Sequence, residues 1–311
     1  MHAKSVILFL FLVVICLPQC VRETSIHLPE QAAKIVALSH FTTGQPIQVE
    51  VSLSQSLTDA GNPSIPFNAD VSIAVKGQFL DKLFRVADDG GRIYWESRDL
   101  VQPNIPYELS VRIAGLDPVD AVSSAPFPAK LAGIYMDTAG VRIVDLSDGK
   151  KALRVPLEIS LAKLPASHRY FAFGLQHEIE VFEVVNGEPV PDEYYQASSK
   201  FLADGRTMAL IYDTPEKVVL INENFWNDNQ SQVPLDVLIP FDPSNERPRR
   251  LFLEWRTLSE EFYRYHLSLA RQGNNLPLND PDALYNNIEG GYGNFSGYSV
   301  ILDTLVLPNP F

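Results

Sequence analysis

Ile47-Gln48-Val49-Glu50-Val51-Ser52-Leu53-Ser54 is an unbroken alternation of apolar and polar side chains. A period of two sends one set of side chains into a core and the other into water, which is the pattern of a half-buried β-strand. The same period recurs at Tyr107, Leu109, Val111 and Ile113, interleaved with Glu108, Ser110, Arg112 and Ala114, and again at Val71, Ile73 and Val75. Between these runs lie Asp59-Ala60-Gly61-Asn62-Pro63 and Asp88-Asp89-Gly90-Gly91, whose Gly, Asn and Pro supply the backbone angles of turns. No helical period intervenes. Short strands at this spacing predict an antiparallel sandwich over residues 24–125. A Cys–Trp–Cys pattern is missing, which excludes an antibody-type domain but leaves the immunoglobulin-like arrangement we expect there.

Ser123-Ser124-Ala125-Pro126-Phe127-Pro128-Ala129 reads as a linker, since two prolines block regular pairing. Strand patterns resume beyond it. Leu153, Val155, Leu157, Ile159 and Leu161 alternate, with Pro156 suggesting a sheet edge. Further strands are expected at Arg169–Gly174, Glu178–Val185, Met208–Tyr212, Val218–Asn222, Leu235–Ile239 and Arg250–Trp255. A second β-rich domain, 129–311, follows. The chain is therefore expected to be mainly β, with two antiparallel sandwich-like domains.

One helix is expected, at 258–272 in the second domain. Thr257 with Glu260 matches a capping box. Phe262, Tyr265, His266 and Leu269 form one apolar stripe. Glu260 and Arg264 are an i,i+4 ion pair, and Gly273 can close the helix. On that stripe His266 reads as a core or boundary histidine rather than a ligand.

The familiar catalytic patterns are missing. The chain has no His-Glu-x-x-His, no Gly-x-Ser-x-Gly and no Walker loop. None of its six histidines has another at i+2, i+3 or i+4, and His168 and His177 are too far apart in sequence to share a metal without a tertiary coincidence. Asn222–Asn229 is rich in oxygen ligands but lacks the central Gly and terminal Glu of an EF-hand. Glu178 and Glu180, and Glu260 and Glu261, are the paired carboxylates. Alternation puts Glu178 and Glu180 on one face, which makes glycosidase-like spacing conceivable; solvated strand edges explain them equally well.

Four of the 17 glycines fall in the Gly-rich loop 287–298, Asn287-Ile288-Glu289-Gly290-Gly291-Tyr292-Gly293-Asn294-Phe295-Ser296-Gly297-Tyr298. A phosphate cradle needs a strand before and a helix after; here an apolar strand follows. We expect a tight loop in which glycines permit positive φ and close backbone approach, with Phe295 buried against the second domain. Asn287, Gly290, Gly291, Gly293 and Phe295 are the candidate motif or contact residues, and the competing reading makes the loop an exposed contact surface.

The N-terminus carries the compartment signal. After Lys4, Val6–Leu17 is an unbroken apolar run of 12 residues. That is too short to span a bilayer but right for a signal-peptide core, giving residues 1–19 as a signal peptide. The two cysteines, Cys16 and Cys20, lie in or just after it. No disulfide or cysteine zinc site is then expected in the mature fold. Cys20 stands where a lipoprotein signal places the acylated residue, with Leu17 three before it, although Gln19 departs from the small residue usual at that point. The 311 residues hold 25 Lys+Arg against 38 Asp+Glu, a net charge of −13, and no basic stripe, which argues against nucleic acid. At 46% apolar and 20% charged, the composition is that of a folded globular chain.

Three segments resemble the C-terminal signature of a Bacteroidota lipoprotein family catalogued as domain of unknown function 4249. They are Leu258-Ser259-Glu260-Glu261-Phe262-Tyr263-Arg264-Tyr265, Asp280-Pro281, and Asn286 through Phe295. Asn68-Ala69-Asp70-Val71 and Tyr107-Glu108-Leu109 are similar to its N-terminal half. The resemblance implies an envelope lipoprotein lipid-anchored at Cys20 in the outer membrane, often encoded beside TonB-dependent outer-membrane transporters, with no enzyme activity and no cofactor attached. Three readings stay open: a non-enzymatic accessory to such a transporter or a surface assembly, a ligand-binding sandwich for glycan or peptide, and a carboxylate hydrolase.

Overall fold

The computed structural model describes residues 32–55, 63–146, 150–162, 170–202, 211–213, 218–221, 232–273 and 283–309. Cys20, the turn at 59–62, His168 and the oxygen-rich run 222–229 lie outside them. The protein is mainly β. Its first half gives β1 (Ile35–Thr42), β2 (Pro46–Leu53), β3 (Asp70–Val75), β4 (Gln78–Lys82), β5 (Phe84–Ala87), β6 (Ile93–Leu100), β7 (Tyr107–Arg112) and β8 (Val119–Ser123). The second half gives β9 (Leu131–Met136), β10 (Arg142–Asp145), β11 (Lys151–Leu161), β12 (Phe171–Val185), β13 (Glu188–Ser198), β14 (Lys200–Leu202), β15 (Ile211–Asp213), β16 (Val219–Ile221), β17 (Gln232–Phe241) and β18 (Glu246–Leu258). One helix, α1 (Glu260–Gly273), and a long last strand, β19 (Tyr292–Val306), complete it among the described residues.

The alternations become strands with matching burial: β1 and β2 are buried at every second residue. The strands form sandwiches. One large sheet runs β15-β16-β12-β18-β19-β1-β2-β6-β5, with β13 added beside β12. The sheet β4-β3-β7-β8 faces its first-half strands, and β10-β11-β17-β14, with β9 beside β11, faces its second-half strands. Two cores result. Ile47, Val49, Val71, Trp95, Leu109 and Val111 belong to one; Leu153, Ile159, Phe173, Val237, Leu253 and Trp255 belong to the other.

The boundary expected near 126–129 is not where the structure divides. Residues Ala33–Phe311 form one compact unit, because the last strand belongs to both halves. β19 pairs antiparallel with β18 and, through Tyr292–Tyr298, parallel with Val36–Thr42 of β1. Among the described strands, that parallel pairing is the exception to the antiparallel pattern. The linker segment is tied down too. Ala125 is fully buried and its carbonyl accepts from Asn104 N–H at 2.6 Å; Ala129 N–H donates to Thr257 Oγ1 at 2.9 Å; and Ser299 Oγ donates to Pro126 O.

Two local expectations shift. α1 is capped by Ser259, whose Oγ accepts from Phe262 N–H at 3.2 Å, not by Thr257, which ends β18 and holds Ala129. Glu260 pairs with Arg264 as expected. Pro156 does not mark an edge: β11 has β17 on one side and β10 and β9 on the other. β10 stops at Arg154 and β9 starts at Leu157, so the proline falls at the handover, where a missing N–H costs no ladder bond.

Candidate functional site

The Gly-rich motif is a joint inside the fold. Asn287 treats the backbone of Phe295 as a strand partner would. Its Nδ2 donates to Phe295 O at 2.7 Å and its Oδ1 accepts from Phe295 N–H at 2.9 Å. Asn294 Nδ2 donates to the same Oδ1 at 3.2 Å. Asn286 accepts from Ile288 N–H at 3.1 Å and donates to Gly291 O at 3.0 Å, which shapes the turn into β19. Gly290 has φ +81° and Gly293 +123°, the positive values anticipated. The space is tighter than the angles alone demand: a Cβ on Gly293 would lie 1.9 Å from Ala37 O, and one on Gly291 2.4 Å from Ile35 O. Phe295 is fully buried, its ring 4.8 Å from that of Phe41. It therefore fills the first core rather than the second domain expected for it, because the parallel pairing carries residues 292–298 onto β1. Asn287, Gly290, Gly291, Gly293 and Phe295 are thus brought together, but as a structural clasp.

Glu178 and Glu180 do share a face of β12, and both are nearly buried. Arginines of β18 cover them. Arg250 grips Glu178 with two donors, at 2.8 and 2.6 Å. Glu180 takes Arg249 at 3.2 Å, Arg247 at 3.6 Å and the Tyr194 hydroxyl at 3.0 Å. Bidentate arginine on a carboxylate is a strong positioning contact, and it occupies the oxygens that hydrolysis would need free. Of the second pair, Glu260 is held by Arg264 and Glu261 accepts from Ser123 Oγ at 3.1 Å.

His177, one residue before this pair, points to the other side, with Nδ1 3.0 Å from Ser199 Oγ. Burial lowers its pKa from 6.5 to about 4, so it stays neutral. His266 is buried, as its stripe suggested, and packs 4.8 Å from His40 of β1 and 4.2 Å from Phe262. Among the described residues no three His, Cys, Asp or Glu side chains are grouped as a metal site.

A cleft of about 590 Å³ opens beside Tyr195, between Lys150, Lys151, Phe241, Asp242 and Glu246. Tyr195 Oη donates to Glu246 Oε1 at 3.1 Å, and its pKa is raised to about 12 by burial and by the charge of Glu246.

Residues 21–301 match the family described as Domain of unknown function (DUF4249). The chain is a DUF4249 protein. The match covers the first core, the clasp and the second core except for Leu305 and Leu307. No curated protein matches this DUF4249 chain. A solved structure titled "Biofilm associated protein - B domain" is similar at 8% identity and a TM-score of 0.18, over 86% of this chain and 85% of that one. The DUF4249 signature was legible as residues but not as a clasp, since its partners Ile35, Ala37 and Phe41 lie at the opposite end of the chain. The Tyr195 cleft carried no sequence signal: its walls come from the start of β11, from β13 and from the connection between β17 and β18, which lie in different sheets.

Proposed function

We propose that this DUF4249 chain is a non-enzymatic envelope lipoprotein of the outer membrane, anchored through acylated Cys20 and accessory to a TonB-dependent transporter or a surface assembly. One observation carries the reading. An apolar export segment, Val6–Leu17, is followed by Cys20, and the family match starts at the next residue. No described helix of the body is long and apolar enough to cross a bilayer. Arginine engages both Glu178 and Glu180, which counts against the hydrolase reading. Cell fractionation of Cys20→Ala, beside a pull-down of the wild type from native membranes, tests both parts. Release of the variant into the soluble fraction and co-purification of a transporter are expected. Membrane retention of the variant, with no membrane partner recovered, would overturn the anchor.

The cleft at Tyr195 favours a second reading, a glycan- or peptide-binding protein, in which the ring and the lysines grip the ligand. Screening glycan and peptide panels against wild type and Tyr195→Ala separates the two: binding lost in the variant supports this reading, and no binding by either discards it.

A further inference from the structure

The end of the first sandwich at which the chain enters β1 gathers exposed rings and cations. β1 and β19 run parallel and both begin there, and β2 ends there, Leu53 standing opposite Ile35. Leu53 N–H donates to Ser64 O at 3.0 Å, which draws the 63–69 loop to the same place. Three apolar side chains stand out to solvent: Phe67 at 81% exposure, Tyr292 at 42% and Ile65 at 41%. Each ring carries a cation. Arg85 lies 4.1 Å over Phe67, and Lys34 lies 5.2 Å over Tyr292. A single exposed apolar side chain is ordinary; what marks this end is that two exposed rings and an isoleucine gather where the chain enters the body.

Chain length decides what this end meets. Only residues 21–31 separate Cys20 from the described body. Eleven residues reach at most about 40 Å when fully extended, and they enter β1 beside Lys34. An acyl anchor at Cys20 therefore tethers the body through the end that carries Lys34.

We propose that this end is a lipid-docking surface: Ile65, Phe67 and Tyr292 enter the interfacial region of the bilayer that bears the anchor, with Arg85 and Lys34 at headgroup depth. The proposal rests on the anchored reading above. Aromatic rings with an apolar body and a cationic rim suit that interface. The attraction is apolar rather than electrostatic. The same end carries Asp88, Asp89 and Asp117 in its turns, and Asp88 already holds Arg92 at 3.5 Å. Docking should therefore not require anionic lipid and should survive high salt.

The test uses the mature chain, whose single cysteine, Cys20, is coupled to a maleimide-bearing lipid in phosphatidylcholine vesicles. Tethering is then independent of acylation in the cell. Phe67→Trp adds a reporter at the docking end. Leu302→Trp adds one at a similarly solvated site, 75% exposed and ten residues beyond Tyr292 along β19, about 33 Å of strand from that ring's position. On bromine-labelled lipid, emission of the Phe67→Trp protein should be quenched at least twofold more than that of the unsubstituted chain. Leu302→Trp should add no quenching, and adding phosphatidylglycerol or salt should change neither result. Equal quenching at both sites, or none at 67 in a variant with an unchanged melting curve, overturns the docking surface. A native chain found without acyl on Cys20 overturns the anchored reading instead.

Discussion

Gly293→Ala adds one methyl group where the structure has no room for it. The new Cβ would lie 1.9 Å from Ala37 O, directly across the parallel ladder in which Ala37 pairs with Gly293. The obstacle is backbone, so no side chain can swing away. β1 and β19 would have to part by at least about 1 Å, which weakens the ladder bonds on either side at roughly 0.5–1.5 kcal/mol each. The φ of +123° adds about 1–3 kcal/mol once a Cβ is present, and overpacking about 1–3 kcal/mol. Together these give about 5 kcal/mol, a large share of the roughly 5–15 kcal/mol that holds a folded domain. At about 2.1 cal/mol/K of unfolding entropy per residue, a body the size of Ala33–Phe311 should melt about 8 °C lower. Thermal unfolding followed by far-UV circular dichroism measures it. Gly133→Ala is the control, since nothing lies within 4 Å of its added methyl and its φ is ordinary. A Gly293→Ala protein that melts with the wild type, or a Gly133→Ala protein that falls as far, refutes the clasp.

Asn287→Ala should cost about 2–5 kcal/mol in chemical denaturation, because it strips partners from the N–H and C=O of fully buried Phe295; a midpoint unchanged within error would count against it. Phe295→Ala should cost about 3–5 kcal/mol by emptying the space beside Phe41, and an unchanged melt with weakened partner binding would restore the contact-surface reading. Stability should fall by about 2 kcal/mol between pH 7 and pH 5 on account of His177. The folded state keeps this imidazole neutral to about pH 4 while the unfolded chain takes up a proton below 6.5. The loss therefore begins as pH drops through 6.5, levels off below about 4, and should vanish in His177→Gln denaturation curves; equal slopes in both proteins would contradict it.

Local physics was legible and distant pairing was not. Alternation at Ile47–Ser54 and Tyr107–Ala114 gave real strands because period two is a property of neighbouring residues. β13 escaped notice because Pro189, Pro191, Asp192 and Glu193 are poor strand formers; it forms because the Asn186-Gly187 turn, with φ +54° and +88°, folds it back on β12. The helix was found, yet its cap slipped by two residues because Thr257 and Ser259 both offer hydroxyls, and only tertiary contact with Ala129 decides between them. The shared face of Glu178 and Glu180 was readable from spacing; the arginines that neutralise them were not, because a strand 70 residues away supplies them. Most consequential was the parallel pairing of β1 with β19, which joins the two ends of the chain and turns a candidate contact loop into a clasp.

The chemistry of Cys20 decides whether this protein is a lipid-anchored envelope protein. Intact mass and tandem mass spectrometry of the mature chain's N-terminal peptide, extracted from native membranes, reads that chemistry without perturbing the protein. A lipid-anchored protein begins at Cys20 and carries acyl mass on it. A mature chain that begins elsewhere, or begins at Cys20 with an unmodified thiol, would contradict it.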